Sequence, residues 1–159
     1  MLHQRRHVCR ICKKEKAVQE FYINNTHRKT PTIDACKLCK QKQMQERYAK
    51  SDASFLRRKI SHSKRSNRHG NIPIAIDVEF LLKLLKKQKG LCALSHRPMT
   101  RIIGLKKKCN TNMSIDRINS DKGYTKKNVQ LVCADVNVAK NDLKQKDFIK
   151  LCKLISKNN

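Results

Sequence analysis

Two Cys-x-x-Cys pairs, Cys9/Cys12 and Cys36/Cys39, with 23 residues between them, restrict what the first third of this chain can fold into more than any other feature. Two pairs of thiolates on short knuckles close a tetrahedral four-sulfur site, and the ion that prefers this geometry in a structural role is zinc. The gap is slightly longer than the commonest four-cysteine spacing, but chance buried thiols do not readily produce two such pairs. Only 4% of residues are aromatic and there is no Trp, so a small core of this kind gains from a metal staple. Ion binding at such a site contributes on the order of 10 kcal/mol to folding. Phe21 and Tyr22, between the knuckles, are the expected mini-core beneath the ion, with base stacking as their lesser reading. The chain opens Met1-Leu2-His3-Gln4-Arg5-Arg6 with no apolar stretch after the charges, so no secretory signal is visible. An intracellular setting follows as the expectation, and there eight cysteines point to metal before disulfides.

Lys and Arg number 38 against 12 acids, a formal charge of +26. Such an excess strains a compact fold by self-repulsion, and a polyanionic partner relieves it. It is not a tail: 13 bases stand against 4 acids up to residue 50, 10 against 3 over residues 51–90, and 15 against 5 beyond. A nucleic acid is therefore the expected partner rather than a membrane patch. No apolar run approaches the roughly 18 residues that suggest a membrane span. The basic runs are Arg57-Arg58-Lys59, then Lys64 to Arg68 including Arg65, and Lys106-Lys107-Lys108. Contact with the phosphate backbone suits them, since Lys and Arg neutralise phosphates without reading sequence. A merely solvated face is the plainer reading.

Residues 37–50 contain no Gly or Pro and read as helix. Over residues 51–71 the apolar pattern thins, which suggests a linker or a helix that orders on DNA. Ile72, Ile74 and Ile76 alternate around Pro73 as a short extended piece. Asp77 then fits an N-cap for a helix over 78–89, with Phe80, Leu81, Leu84 and Leu85 as its apolar stripe and Gly90 as its end. Near the C-terminus, Asp147 caps a predicted helix over 148–156, whose Phe148, Leu151, Cys152 and Ile155 are expected to close the core.

Residues 113–141, MSIDRINSDKGYTKKNVQLVCADVNVAKN, read as strand, loop, strand, helix. Met113, Ile115 and Ile118 surround an Asp116-Arg117 pair. Gly123-Tyr124 makes a turn, 129–133 is β-prone, and a helix follows from about Ala134, with Val136, Val138 and Leu143 as its expected buried side. Asn137 and Asn141 lie four apart and so share a helix face. Asp116 is a hard oxygen ligand, and the two Asn residues offer amide oxygens. Such donors suit Mg²⁺ or Mn²⁺, and Mg²⁺ usually takes only one or two carboxylates beside substrate phosphate. Taken singly, an Asp-Arg pair is more often a surface ion pair, Asn on a helix is more often solvated, and Gly-Tyr is more often a turn with a packed ring.

In sequence, S-I-D-R-I, G-Y, N-V and V-N-x-x-K-N resemble the HNH (His-Me finger, ββα-metal) nucleases over roughly residues 91–155. The resemblance implies that Asp116 is the strand-end ligand of a divalent catalytic ion, that Asn128 is the central Asn orienting the loop, and that Asn137 is the helical ligand, with Asn141 at the second helical ligand position. The four-cysteine segment is similar to zinc modules that precede HNH domains in some phage and viral nucleases. One departure matters: Arg117 stands where the family usually has its general-base His, and a guanidinium stays protonated. Arg117 then clamps the scissile phosphate, while another group, with Tyr124 and His96 as candidates, or a metal-bound water supplies the nucleophile; a catalytically weak site is the alternative. Cys92-x-x-Ser95 stands where related nucleases often carry a second knuckle. A Cys₃His site from Cys92, Cys109, Cys133 and His96 is the alternative to buried thiols.

These readings combine into an α+β protein with a four-cysteine zinc module at 1–50, a basic helical connector at 51–76 and an HNH-like domain at 77–159. The expected function is metal-dependent hydrolysis of double-stranded DNA. Double-strand cutting with one site per chain would call for a homodimer. The rivals are a non-catalytic zinc-dependent DNA- or RNA-binding protein and a structural RNA-associated protein.

Overall fold

The computed structural model describes residues 6–22, 34–66, 72–102 and 109–159, which fall in two compact units, Met1–Arg47 and Tyr48–Asn159. In the first unit the leading cysteine pair sits on a hairpin. Strands β1 (Arg6–Val8) and β2 (Glu15–Ala17) pair antiparallel, with His7 opposite Lys16. The turn after β1 closes through the Cys9 N–H to the Lys14 carbonyl and the Lys13 N–H to the Cys9 carbonyl. Phe21 bridges to Cys36, which directly precedes helix α1 (Lys37–Lys50), so the second pair lies at a helix start. Cys9, Phe21, Ala35 and Cys36 form the core, with Cys12 and Cys39 packed on it. Phe21 is the expected mini-core residue, but Tyr22 is 54% exposed and does not join it. Tyr22 instead lies beside the Lys37 ammonium, 5.8 Å from its ring centre.

In the second unit the basic stretch expected to be a connector proves to be structural over residues 52–66. It forms helix α2 (Asp52–Ser66), and Phe55, Leu56 and Ile60 are buried on one side of it. Three apolar residues among many bases look sparse in the sequence, yet i, i+1 and i+5 lie close enough around a helix to make one narrow apolar face. That face joins Ile76, Leu81, Met113, Ile115, Val129 and Leu131 in one cluster.

Strand β3 (Ile74–Ala75) leads into helix α3 (Val78–Lys87). Asp77 caps α3 by accepting the Phe80 N–H at 2.7 Å, and Leu81 is fully buried beneath it. Strand β4 (Met113–Arg117) is followed by the short strand β5 (Tyr124–Thr125), then β6 (Val129–Cys133) and helix α4 (Ala134–Lys140). β4 and β6 pair antiparallel with Asp116 opposite Gln130, and β3 pairs parallel with β5. All five residues of β6 are buried, Gln130 included. The architecture is thus α+β, and β4, β6 and α4 together make a ββα unit. Gly123 is required by close approach: a Cβ there would lie 2.5 Å from the Pro73 carbonyl oxygen, the same oxygen that accepts the Tyr124 N–H.

Two expectations about burial fail. Val138 is 68% exposed and Leu143 39% exposed, so neither anchors α4; its buried residue is Lys140. Helix α5 (Gln145–Lys157) begins before Asp147, has no side-chain cap and buries no residue; Leu151, Cys152 and Ile155, expected to close the core, are exposed, as is Leu154. Among the described residues no helix is long and apolar enough to cross a membrane.

Candidate active site

Asp116 ends β4 opposite Gln130, and both of its carboxylate oxygens are held. Gln130 Nε2 donates to Oδ2 at 2.8 Å and Lys140 Nζ donates to Oδ1 at 3.0 Å. Lys140 Nζ also donates to the Arg117 carbonyl at 2.8 Å. Both charged side chains are buried, Lys140 completely and Asp116 at 4% exposure, so each requires the other as counter-charge. The connection explains the reach. α4 follows β6 without a loop and is two turns long, which returns its last residue to the end of β4.

Asn128 is 6% exposed, and its side chain bonds twice to the backbone of one loop residue and once to another. Its Oδ1 accepts the Asn119 N–H, and its Nδ2 donates to the Asn119 and Gly123 carbonyls, each at 2.9 Å. The loop so held joins the ends of β4 and β5, where the Arg117 and Tyr124 side chains meet. The guanidinium carbon lies 5.3 Å from the Tyr124 ring centre, and Nη1 donates to the Lys122 carbonyl. Asn137, on α4, donates from Nδ2 to Ser114 Oγ at 3.1 Å. Asn141 is not inside the helix as expected but caps its end at φ 45°, its N–H bonded to the Asn137 carbonyl.

Asp116, Arg117, Tyr124, Asn137 and Asn141 line one cavity of about 180 Å³, together with Ile115, Ser120 and Asp142. The donor set is two carboxylates and two carboxamides, hard oxygens of the kind a Mg²⁺-sized ion takes. A carboxylate oxygen has two lone pairs, so the bonds from Lys140 and Gln130 leave Asp116 able to accept further contacts. The V-N-x-x-K-N motif carries Lys140 as its K but gives it no role, and neither Asp142 nor Gln130 stands out in the sequence. Asp142 stands next to Asn141 and Lys140 three residues after Asn137, and those spacings are the signals that could have found them. His96 does not line the cavity; it is exposed in the turn after Cys92, at φ 55°.

The four sulfurs of Cys9, Cys12, Cys36 and Cys39 lie within 4.8 Å of one another and could hold a metal ion such as zinc. A tetrahedron with Zn–S bonds of about 2.3 Å needs sulfurs about 3.8 Å apart, so the cluster is close to the required size. Burial opposes charge on Cys9, but the backbone N–H groups of Cys12, Cys36 and Ile11 bring its thiol down to about 6. Partial burial, together with contacts to the three other sulfurs, pushes the Cys39 thiol up to about 12. A cation at the centre would remove that mutual penalty. Among the described residues this is the one group of three or more Cys, His, Asp or Glu side chains so placed. The Cys₃His alternative is therefore corrected: Cys92 and Cys133 are buried thiols, burial pushes Cys133 up, and Cys109 bonds instead to the Thr100 and Thr111 hydroxyls.

Arg57, Arg58, Lys64 and Arg65 are exposed on α2 and Lys59 is half-buried. Arg68, Lys106, Lys107 and Lys108 lie outside the described residues.

Among solved structures, the chain is similar to the rare-cutting HNH restriction endonuclease PacI. The two are 20% identical, with 94% of this chain and 93% of that chain covered and a TM-score of 0.41. No protein-family model matches the sequence, and no curated protein matches it either.

Proposed function

We propose that the protein is a metal-dependent endonuclease that hydrolyses phosphodiester bonds in double-stranded DNA through an HNH-type site. The observation that carries this reading is the shared cavity: Asp116 on β4, Asn137 on α4 and Asn141 at the end of α4 converge on one space beside Arg117. Asp116, Asn137 and Asn141 would hold Mg²⁺ or Mn²⁺, and the ion would supply Lewis-acid stabilisation of the phosphate and the leaving 3′ oxygen. Arg117 adds fixed positive charge for the phosphate. Asn128 keeps the loop in the shape that places Arg117 and Tyr124. Because Arg117 cannot take a proton, the acceptor for the attacking water falls to Tyr124, whose phenol must first give up its own proton, with the Asp142 carboxylate as the alternative in the same cavity. Zinc at the four cysteines has a structural role, and the exposed bases Arg57, Arg58, Lys64 and Arg65, with Lys59, Arg68 and Lys106 to Lys108, supply backbone affinity. A homodimer would let two such sites cut both strands.

Plasmid cleavage with Mg²⁺ or Mn²⁺ tests the reading. Asn137→Ala and the near-isosteric Asp116→Asn are expected to lose cutting while still binding DNA. Variants that cut as well as the parent would overturn the assignment. The second reading, a nucleic-acid binder without catalysis, draws on one observation: Asp116 is already paired with Lys140. It predicts salt-sensitive binding and no cutting with any divalent ion.

A further inference from the structure

A second, larger groove of about 430 Å³ adjoins the candidate active site; Ile115, Tyr124 and Asn137 line both. Its far side is α2, which contributes Lys59 and His62 one helical turn apart. Cys109, Asn112 and Ser114 add polar atoms. The two neighbouring spaces differ in their charged groups. The smaller sets Asp116 and Asp142 beside Arg117, whereas no carboxylate lines the larger one among the described residues.

That contrast has a physical consequence. Lys59 is held against the Phe55 ring, 5.4 Å from its centre, and both burial and the neighbouring Arg58 act against its charge. Crowded, partly desolvated cations without acids favour a bound anion. Tyr124 and Asn137 form the wall between a space suited to a cation and a space suited to an anion. We propose that the larger groove seats a phosphodiester of the bound strand next to the one in the catalytic cavity, with Lys59 as its cationic contact and the His62 ring as a hydrogen-bond donor. This rests on the nuclease reading for the identity of the polyanion. It assigns His62 a role and gives the strand a direction, from the cavity between β4 and α4 towards α2.

The groove contains a natural reporter, because Cys109 lines it whereas Cys152 lies exposed on α5. The intact protein would be alkylated with N-ethylmaleimide, with and without a saturating short DNA duplex, and read by mass spectrometry. Ca²⁺ would replace Mg²⁺ to prevent cutting. Cys109 labelling is expected to slow several-fold on DNA while Cys152 labelling is unchanged. In parallel, Lys59→Gln, which keeps side-chain bulk, is expected to make the salt dependence of binding shallower by about 1 in log–log slope, for the phosphate left without its cation, whereas His62→Phe, which keeps bulk but loses the donor, is expected to weaken binding several-fold at an unchanged slope. Unprotected Cys109 on demonstrably bound DNA, or a parental slope in Lys59→Gln together with parental affinity in His62→Phe, would overturn the proposal. Neither readout requires cleavage. Protection without cutting would therefore defeat the nuclease reading alone, and cutting without protection would defeat the groove alone.

Discussion

Lys140 and Asp116, 24 residues apart in sequence, form a buried ion pair at 3.0 Å that ties the end of α4 to the end of β4. Both elements carry residues of the candidate site, so the pair fixes their separation. Lys140→Met would leave the Asp116 carboxylate buried without a counter-charge, at a cost of about 3–5 kcal/mol. The double variant Asp116→Asn/Lys140→Met should recover much of that loss, because no unpaired charge remains. Urea denaturation of the parent and the two variants checks this; a Lys140→Met protein as stable as the parent would refute it.

Asn128 is expected to act on the loop rather than on the core. Asn128→Ala removes three hydrogen bonds, each of a kind that contributes about 1 kcal/mol net, and leaves the Asn119 N–H and two carbonyls to find other partners. Asn128→Asp keeps the acceptor but loses both donors, so it should be nearly as damaging. Amide hydrogen exchange at Asn119 should accelerate in both variants while exchange in α3 changes far less.

The four-cysteine cluster should bind close to one equivalent of metal per chain. Cys36→Ser is expected to abolish that binding and unfold the first unit, since binding energy at such sites, on the order of 10 kcal/mol, is folding energy. Elemental analysis together with limited proteolysis measures both effects. A Cys36→Ser protein that retains a full equivalent of tightly bound zinc and resists protease would count against the site.

Acid should loosen the start of α4. Arg97 Nη2 contacts both Asp135 oxygens, at 2.6 and 2.7 Å, and this bond holds the Asp135 carboxyl below its ordinary value of 3.8. A depressed carboxyl contributes its stability above the unfolded value and loses it as pH falls through the folded one. The difference in Tm between the parent and Asp135→Asn should therefore be constant near neutrality and shrink as pH drops below about 4. A gap that widens in acid would contradict the sign.

Tyr124→Phe separates the two roles open to that ring. The ring stays under the Arg117 guanidinium, so loop geometry should be kept, and only the hydroxyl is lost. If the phenol handles a proton, kcat for cleavage should fall by about 10²–10⁴-fold with little change in DNA affinity. Parental kcat would move that role to Asp142, and Asp142→Asn would then be the variant that fails.

The cysteine pairs, the Asp77 cap and the strand-loop-strand-helix order were legible because each depends on spacing along the chain. A Cys-x-x-Cys knuckle, an N-cap and a period-two strand are decided within a few residues. What could not be read was which face of each helix is covered. α2 looked like a connector because its three apolar residues are outnumbered by bases, yet β4 and β6 lie against that face. Val138 and Leu151 looked like core residues and are exposed, while Lys140 is buried. Burying an ammonium is tolerable only when a carboxylate and a carbonyl from a distant strand stand opposite it, and no local pattern encodes that meeting. Motif order named the candidate ligands; packing of α4 against β4 brought them to one cavity, and added Asp142 to them.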